Sequence, residues 1–372
     1  MSVAINGTDG ITFNDGSLQP SAPVGRNLII NGNMMIDQRN TTQTGNGYSV
    51  DRWAIYDNTS ATYTLAQDSS APSGFVNSLK FTTTGTDTSI GSTEQCVIYH
   101  QIEGYNITYL NWGTANAKTV TLSFYVRSSL TGTFAGSLGN NGYARSYPFT
   151  YTISSADTWE QKTITITGDT TGTWLTTNGV GISLRLAIAA GSSFEATAGA
   201  WDSGNYFSVS GATNVVGTAS STFYITGVQL EVGEGASNFE NLPYDVQLQR
   251  CQRYYEKSCA YATVPNNGVY DVEYLALSNY IDNLNCKWQA SFKVEKRATP
   301  TLTLYGGATG KWQTAKLDGS WGTLLGSSYA VSLTTKYVTV NNSDWNGSSS
   351  WQTITAGTGR MTRGVWVVEC EL

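Results

Sequence analysis

From about residue 27 to residue 244 the apolar positions recur with period two. Val120, Leu122, Phe124 and Val126 fall on one side of an extended segment while Thr121, Ser123, Tyr125 and Arg127 fall on the other, the pattern of a strand with one buried face. Ile164 and Ile166 alternate with Thr163, Thr165 and Thr167, and Ile182, Leu184, Leu186 and Ile188 alternate with smaller or polar neighbours. Gly/Asn/Ser/Thr-rich stretches such as 136–142 and 199–211 lie between these runs. Many short strands without intervening helical patterns predict an antiparallel sandwich or jelly roll. After Thr222 the apolar phase shifts at Gly227, from Phe223 and Ile225 to Val228, Leu230 and Val232, which predicts a β-bulge.

The period changes once. Pro243 ends the strand pattern, Asp245 is placed to cap a helix, and Leu248, Cys251 and Tyr255 follow at spacings of three and four. A free helix of about 12 residues is marginal in water, so it must dock, either on its own chain or on copies of itself around an axis. After Ser258 the alternation returns: Cys286, Trp288, Ala290, Phe292 and Val294 share a face, and Trp366, Val368, Cys370 and Leu372 form a second clean stripe. Before residue 26, Val3, Ile5, Ile11 and Phe13 alternate around the turn-rich 6–10 stretch, too few to build a core and fit for a hairpin arm ordered by a partner; a frayed terminus is the alternative. The expected organisation is therefore an arm (1–25), a β-sandwich (26–245), a short helical connector (246–257) and a distal β-domain (258–372). The fold class is all-β, an antiparallel jelly-roll sandwich plus a second sandwich-like domain.

Composition narrows the function. The 372 residues carry 13% charged side chains against roughly 25% in an average domain, so Ser, Thr, Asn, Gln and Gly must solvate the surface. A net charge of −6 and the absence of Lys/Arg clusters argue against nucleic acid, which needs cations to release phosphate counterions. No window approaches the roughly 20 apolar residues that span a bilayer, and the first residues lack a leader pattern, so a soluble chain without membrane insertion is expected. Cys96, Cys251, Cys259, Cys286 and Cys370 are irregularly spaced and read as buried thiols, with no metal-gripping pair; a Cys251–Cys259 bridge is the alternative.

Several separated motifs stand in order: Asn27-Leu-Ile-Ile-Asn-Gly-Asn33 with Asp37-Gln-Arg39, Tyr48-Ser-Val-Asp-Arg-Trp53, Gln101-Ile-Glu-Gly104, Lys118 through Arg127, Asp157-Thr-Trp-Glu-Gln161, and the Tyr224 to Phe239 stretch running into Tyr244 through Tyr255. Together they resemble the appendage proteins of tailed bacteriophages, mostly tail fibres, whose carbohydrate-module-like jelly roll ends in a short helix reading Gln-Arg-Tyr-Tyr. That resemblance implies a structural virion protein, assembled in the host cytoplasm into a tail appendage, that recognises host-surface glycan. It further implies a homotrimer, with Leu248, Cys251 and Tyr255 on a three-chain axis, and attachment of Val3, Ile5, Ile11 and Phe13 to a tail, baseplate or adaptor protein. A decoration or connector protein of the head, neck or baseplate is the second reading, and a free-standing lectin the third.

Related jelly-roll modules carry acids in the first and last strands that hold a structural calcium. Here those positions read Asn31-Gly-Asn-Met-Met35 and Tyr224-Ile-Thr-Gly-Val228, without carboxylates, so neither metal nor cofactor is expected. Asp51-Arg52-Trp53 reads as a structural brace, and His100, the sole histidine, has no nucleophile motif beside it. Acids such as Glu195, Asp202, Asp271, Glu273 and Asp282 exist, but sequence does not pair them as glycoside hydrolysis requires, so binding without catalysis is expected. The 11 Trp and 22 Tyr exceed what two sandwiches need inside, and ring faces stack on sugars. The candidate glycan contacts are Trp345 and Trp351 first, then Trp321, Trp312, Tyr109, Trp112, Tyr143 and Tyr147, with Trp174 and Trp201 also in loops.

Overall fold

The alternating runs become two stacked antiparallel sheets in the computed structural model, which describes residues 4–6, 10–12, 18–19, 25–266, 276–280, 286–305, 313–315, 321–323, 329–342, 359–363 and 365–372. The arm region holds three short paired strands, β1 (Ala4–Asn6), β2 (Gly10–Thr12) and β3 (Leu18–Gln19), with Ile5 opposite Ile11. Val3 and Phe13 lie outside the described residues.

The sandwich runs β4 (Gly47–Tyr48), β5 (Trp53–Asp57), β6 (Thr62–Asp68), β7 (Ser78–Gly85), β8 (Gln95–Glu103), β9 (Val120–Ser128), β10 (Gly132–Gly139), β11 (Ser146–Ile153), β12 (Glu160–Ile166), β13 (Val180–Ala190) and β14 (Thr222–Val232). One sheet is ordered β11-β10-β13-β8-β5-β4 and the other β12-β9-β14-β7-β6, so the chain shuttles between layers as a jelly roll does. Between them lie the inward residues of the sequence pattern: Val120, Leu122, Phe124 and Val126 from β9, and Ile182, Leu184, Leu186 and Ile188 from β13, all buried. The bulge is present too. Pairing of β14 with β9 slips between Thr226 and Gln229, and Gly227 takes φ +63° with the Phe75 ring against it, a place where a side chain has no room.

The Asn-Gly-Asn turn is a brace. Asn31 donates from its amide to the carbonyls of Ile36 (2.8 Å) and Asp51 (3.0 Å), and its own carbonyl accepts from the Trp53 indole (3.1 Å). Gly32 lies so close to β14 that a Cβ there would stand 2.0 Å from the Val228 carbonyl oxygen.

Past β14 the helix α1 (Tyr244–Gln252) is shorter than the expected connector, and Tyr255–Lys257 is strand β15 rather than helix. The remaining strands are β16 (Ala276–Tyr280), β17 (Cys286–Ser291), β18 (Thr301–Tyr305), β19 (Gln313–Ala315), β20 (Trp321–Thr323), β21 (Tyr329–Leu333), β22 (Tyr337–Asn342), β23 (Gly359–Arg363) and β24 (Val365–Glu369). They form a sheet ordered β20-β19-β23-β16-β17-β22-β21 and a three-stranded one ordered β15-β24-β18. The chain is thus all-β around one short α-helix among the described residues. In the last strand side chains on both faces are buried, Val365 and Val367 as well as Trp366 and Val368, and β24 is the central strand between β15 and β18.

The helix does not offer its apolar stripe to a second copy. Cys251 is fully buried with Ile30, Ile36 and Tyr254, and Leu248 packs against the same cluster, so the helix docks on the turn that opens the sandwich of its own chain. Tyr255 is equally buried, under the Arg39 guanidinium at 4.0 Å. This corrects the assignment of Leu248, Cys251 and Tyr255 to a trimer axis: an apolar stripe on a short helix needs a partner surface, and the chain supplies one itself. The described thiols of Cys96, Cys251, Cys259 and Cys370 are buried and unbridged.

A buried ionic lock closes this junction. Arg39 reaches Glu369 (2.6 Å) and Glu371 (3.1 Å), while Arg52, equally buried, pairs with Glu371 and donates to the Gln101 carbonyl at 2.5 Å. The Arg52 guanidinium also covers the Tyr254 ring at 3.7 Å. On the sandwich side, Asp51 accepts from both the backbone and side-chain amides of Gln38, and burial pushes its carboxyl up to about 6 against the pull of Arg39. Removing one partner of a buried pair costs about 3–5 kcal/mol where it strands the other charge, and less here, because Glu371 keeps Arg39 when Arg52 is lost. Arg52→Met is therefore expected to lower the urea midpoint of unfolding by a corresponding amount; a midpoint within the error of the parent chain would show that the pair holds nothing.

Candidate functional site

On β8 the inward residues are Cys96, Ile98, His100 and Ile102, so Gln95, Val97, Tyr99 and Gln101 stand on the outer face of the six-stranded sheet. Register places their neighbours. Tyr99 lies between Ala54 of β5 and Arg185 of β13, Gln101 lies beside Ser183, and Arg185 continues to Ser137 of β10. Part of this outer face is covered by the 191–213 loop, which lays Phe207 and Phe194 over Val97, Ala135 and Ala187. What the loop leaves open is a cleft of about 240 Å³ lined by Tyr56, Gln95, Val97, Tyr99, Gln101, Tyr143, Arg185 and Asn205.

Its walls are aromatic and its floor is polar. Tyr56 is 42% exposed, and Tyr143 and Tyr99 are half-buried. Tyr143 reaches the cleft because the Asn141–Tyr143 turn puts Gly142 and Tyr143 at positive φ, +73° and +56°, with the Tyr143 ring 4.2 Å from the Arg185 guanidinium. Gln101 Oε1 and Ser183 Oγ, neighbours across the ladder, are buried without a hydrogen-bond partner. Orphaned acceptors of this kind cost stability unless something supplies their hydrogen bonds. No carboxylate lines the cleft.

Two other hollows are less suited to a sugar. One of about 460 Å³ is lined by small side chains and Glu195, and one of about 310 Å³ abuts Arg145, which Asp169 already holds at 2.7 Å.

The sequence candidates scatter. Tyr143 belongs to the cleft. Tyr109 is 43% exposed but lies elsewhere, with Lys118 Nζ 5.6 Å from its ring. Trp112 and Tyr147 are corrected: both are 7% exposed and belong to the core, Trp112 edge-on to Trp174 at 4.6 Å and to Trp201 at 5.3 Å, with Tyr147 against Trp201. Loop rings that close one another off have no face left to stack on a sugar. Trp312, Trp345 and Trp351 lie outside the described residues, and Trp321 begins β20, with nothing described of its side chain. Tyr56, Tyr99, Gln101 and Arg185 were missed. The outward alternation of β8 and β13 was visible, but not which outward residues a distant loop would leave uncovered.

His100 is fully buried, its Nε2 3.1 Å from the Ile30 carbonyl, and burial drives its pKa far down, so it stays neutral and structural. The calcium expectation is decided by donors: Asn33 Oδ1 is buried without a partner, and the Thr226 hydroxyl donates to the Asn77 carbonyl at 2.7 Å. One amide oxygen and one hydroxyl do not make a calcium shell, so these residues do not fit that ion.

No protein-family model and no curated protein matches the chain. Similar solved structures include the enzymatically active domain of tailspike protein 4 of bacteriophage CBA120, with TM-score 0.31 and 9% identity over 56% of this chain and 22% of that one. An arabinose-bound α-L-arabinofuranosidase gives TM-score 0.31 and 14% identity over 63% of this chain and 31% of that one. A family 11 carbohydrate-binding module from Clostridium thermocellum, in complex with a mixed-linked β-1,3-1,4 tetrasaccharide, gives 0.28 and 13% over 50% of this chain and 91% of that module. The chain thus spans less than a third of the first two. Likenesses at these TM-scores carry no argument about activity, and the site rests on its own geometry.

Glu103, the last residue of the cleft strand β8, meets the helix junction: Arg253 donates to it at 2.6 and 2.9 Å and the Tyr254 hydroxyl at 2.8 Å. Burial raises its pKa, and the Arg253 and Tyr254 hydrogen bonds outweigh that, leaving the carboxyl below its ordinary 4.5. A carboxylate lowered on folding adds stability that is present above its unfolded value and is lost as pH falls through the lower folded value. The melting temperature of the parent chain is expected to drop more steeply below about pH 4.5 than that of Glu103→Gln; parallel curves would show that the pair does not couple folding to protonation.

Proposed function

We propose that this chain is a non-catalytic glycan-binding subunit of a tailed-bacteriophage appendage, gripping the host surface through the outer face of its six-stranded sheet. The observation that carries the binding role is the cleft itself: three tyrosines around the Arg185 guanidinium and the amides of Gln95, Gln101 and Asn205, with no carboxylate in the lining. Rings stack on the apolar face of a pyranose while amides and the guanidinium meet its hydroxyls. Glycosidic hydrolysis uses a pair of acids across the bond, and this cleft offers none.

The appendage role rests on the ordered motifs and on the paired strands of the 4–19 region, which suit insertion into a tail, baseplate or adaptor protein. Self-association into a trimer fits the same role and would use surfaces other than Leu248, Cys251 and Tyr255. Repetition matters to such a protein: a millimolar site is worth only about 4 kcal/mol, and linking sites adds a factor of about 10² to 10⁴ without a new contact. The rival reading, a head or baseplate connector, uses the sandwich only as a structural part and predicts no sugar binding.

Binding of the intact protein to a glycan array, compared with Tyr99→Ala and Tyr56→Ala, tests this. Loss of one ring face should weaken every positive signal by about tenfold, some 1.4 kcal/mol. Undiminished signals in both variants, with melting temperatures unchanged, would move the site off this sheet.

A further inference from the structure

Arg185 is the charged group in the cleft, and its charge is uncompensated. It is 3% exposed, and its three hydrogen bonds go to neutral oxygens: Nε to Ser137 Oγ (3.1 Å), Nη1 to Asn205 Oδ1, and Nη2 to the Tyr206 carbonyl (2.9 Å). A guanidinium has five N–H groups, so two find no protein acceptor among the described residues. Every other arginine buried to this degree among them, Arg39 and Arg52, is held by carboxylates. Aromatic rings partly take their place here, Tyr143 at 4.2 Å and Phe207 at 5.0 Å.

A desolvated cation is costly unless it is paired, and a fold that pairs its other buried arginines has left this one open where a ligand enters. We propose that the cleft takes a carboxylate-bearing sugar, a hexuronate or similar acidic residue of a surface glycan, with the Arg185 guanidinium meeting the carboxylate. This rests on the glycan-binding reading and narrows it. Two unused donors on one planar fork match the two oxygens of a carboxylate. The side-chain amides of Gln95 and Asn205, which line the same cleft, offer polar groups to the ring hydroxyls. Burial lowers the Arg185 pKa to about 10, and a bound anion would restore it. The chain's net charge of −6 repels anionic polymers in general, so holding one takes a specific contact.

The test uses the intact chain and a panel of bacterial surface polysaccharides: uronate-containing ones, the same polymers after carboxyl reduction to neutral sugars, neutral ones, and phosphodiester-linked ones. Binding to the uronate polymers, falling at least tenfold on carboxyl reduction, is the expected result. Arg185→Lys should keep a reduced preference for the acidic form and Arg185→Gln should lose it; the native-against-reduced comparison stands even where Arg185→Gln does not fold. Tyr99-dependent binding that ignores carboxyl reduction, or that favours neutral or phosphodiester polymers, overturns the acidic assignment and leaves glycan binding intact. No binding to any polymer overturns both.

Discussion

Two buried guanidiniums, Arg39 and Arg52, hold the molecule's parts in register. Each sits against a tyrosine of the Gln-Arg-Tyr-Tyr segment, Arg39 on Tyr255 and Arg52 on Tyr254, and each is neutralised by Glu371, with Glu369 joining at Arg39. The partners come from three stretches far apart in sequence: the turn and strand start at 39–52, the segment after the helix, and the final strand. A buried charge without its counter-ion is costly, so the stretch that carries the arginines and the one that carries the glutamates must settle together, over the two tyrosine rings. That constraint accounts for the chain's recognisable motifs: Asp51-Arg52-Trp53, the Asn31 turn and Tyr254-Tyr255 are parts of one joint.

The joint also reaches the cleft. Arg52 donates to the carbonyl of Gln101, and Tyr48, beneath Arg39, sets its ring edge-on to Tyr99 at 6.4 Å. The far end of β8 is thereby fixed from below by the lock and from the side by the ladder to β13. A second buried pair, Lys296 with Glu256 at 2.6 Å, repeats the device between β15 and the segment after β17. Under the proposed binding role, side chains carried by so constrained a strand would lose little freedom on meeting a ligand, which is where shallow sites otherwise forfeit affinity.

What could be read from the sequence follows from what alternation encodes. The inward faces of β9, β12 and β13 and the slip at Gly227 were legible because they depend on local spacing and on one residue's backbone freedom. The docking of α1 was not: the stripe of Leu248 and Cys251 is the same whether its partner is Ile30 and Ile36 or another copy. Nor was the fate of loop aromatics. Trp112, Trp174 and Trp201 come from three separate loops, and only their meeting makes them a closed cluster instead of three exposed rings. Arg185 was hidden by the opposite error, since a cation between two inward leucines reads as a solvated outer face until the 191–213 loop is seen to cover part of it.

That partial covering is what turns a flat sheet into a site. Tyr56 pairs with Val97 and Ala54 with Tyr99, so the two tyrosines are diagonal neighbours, a separation of roughly 7–8 Å fixed by strand geometry. Beside Tyr99 the ladder neighbour on β5 is the small Ala54, so the Tyr99 ring has no bulky residue on that side. Asn205 from the covering loop and Tyr143 from the β10–β11 turn close two further sides, and both also lie against Arg185. A sheet left bare would have offered rings without depth, and one fully covered would have buried the cation beyond reach. The loop stops between these limits, leaving the cation recessed among rings and still lining the opening.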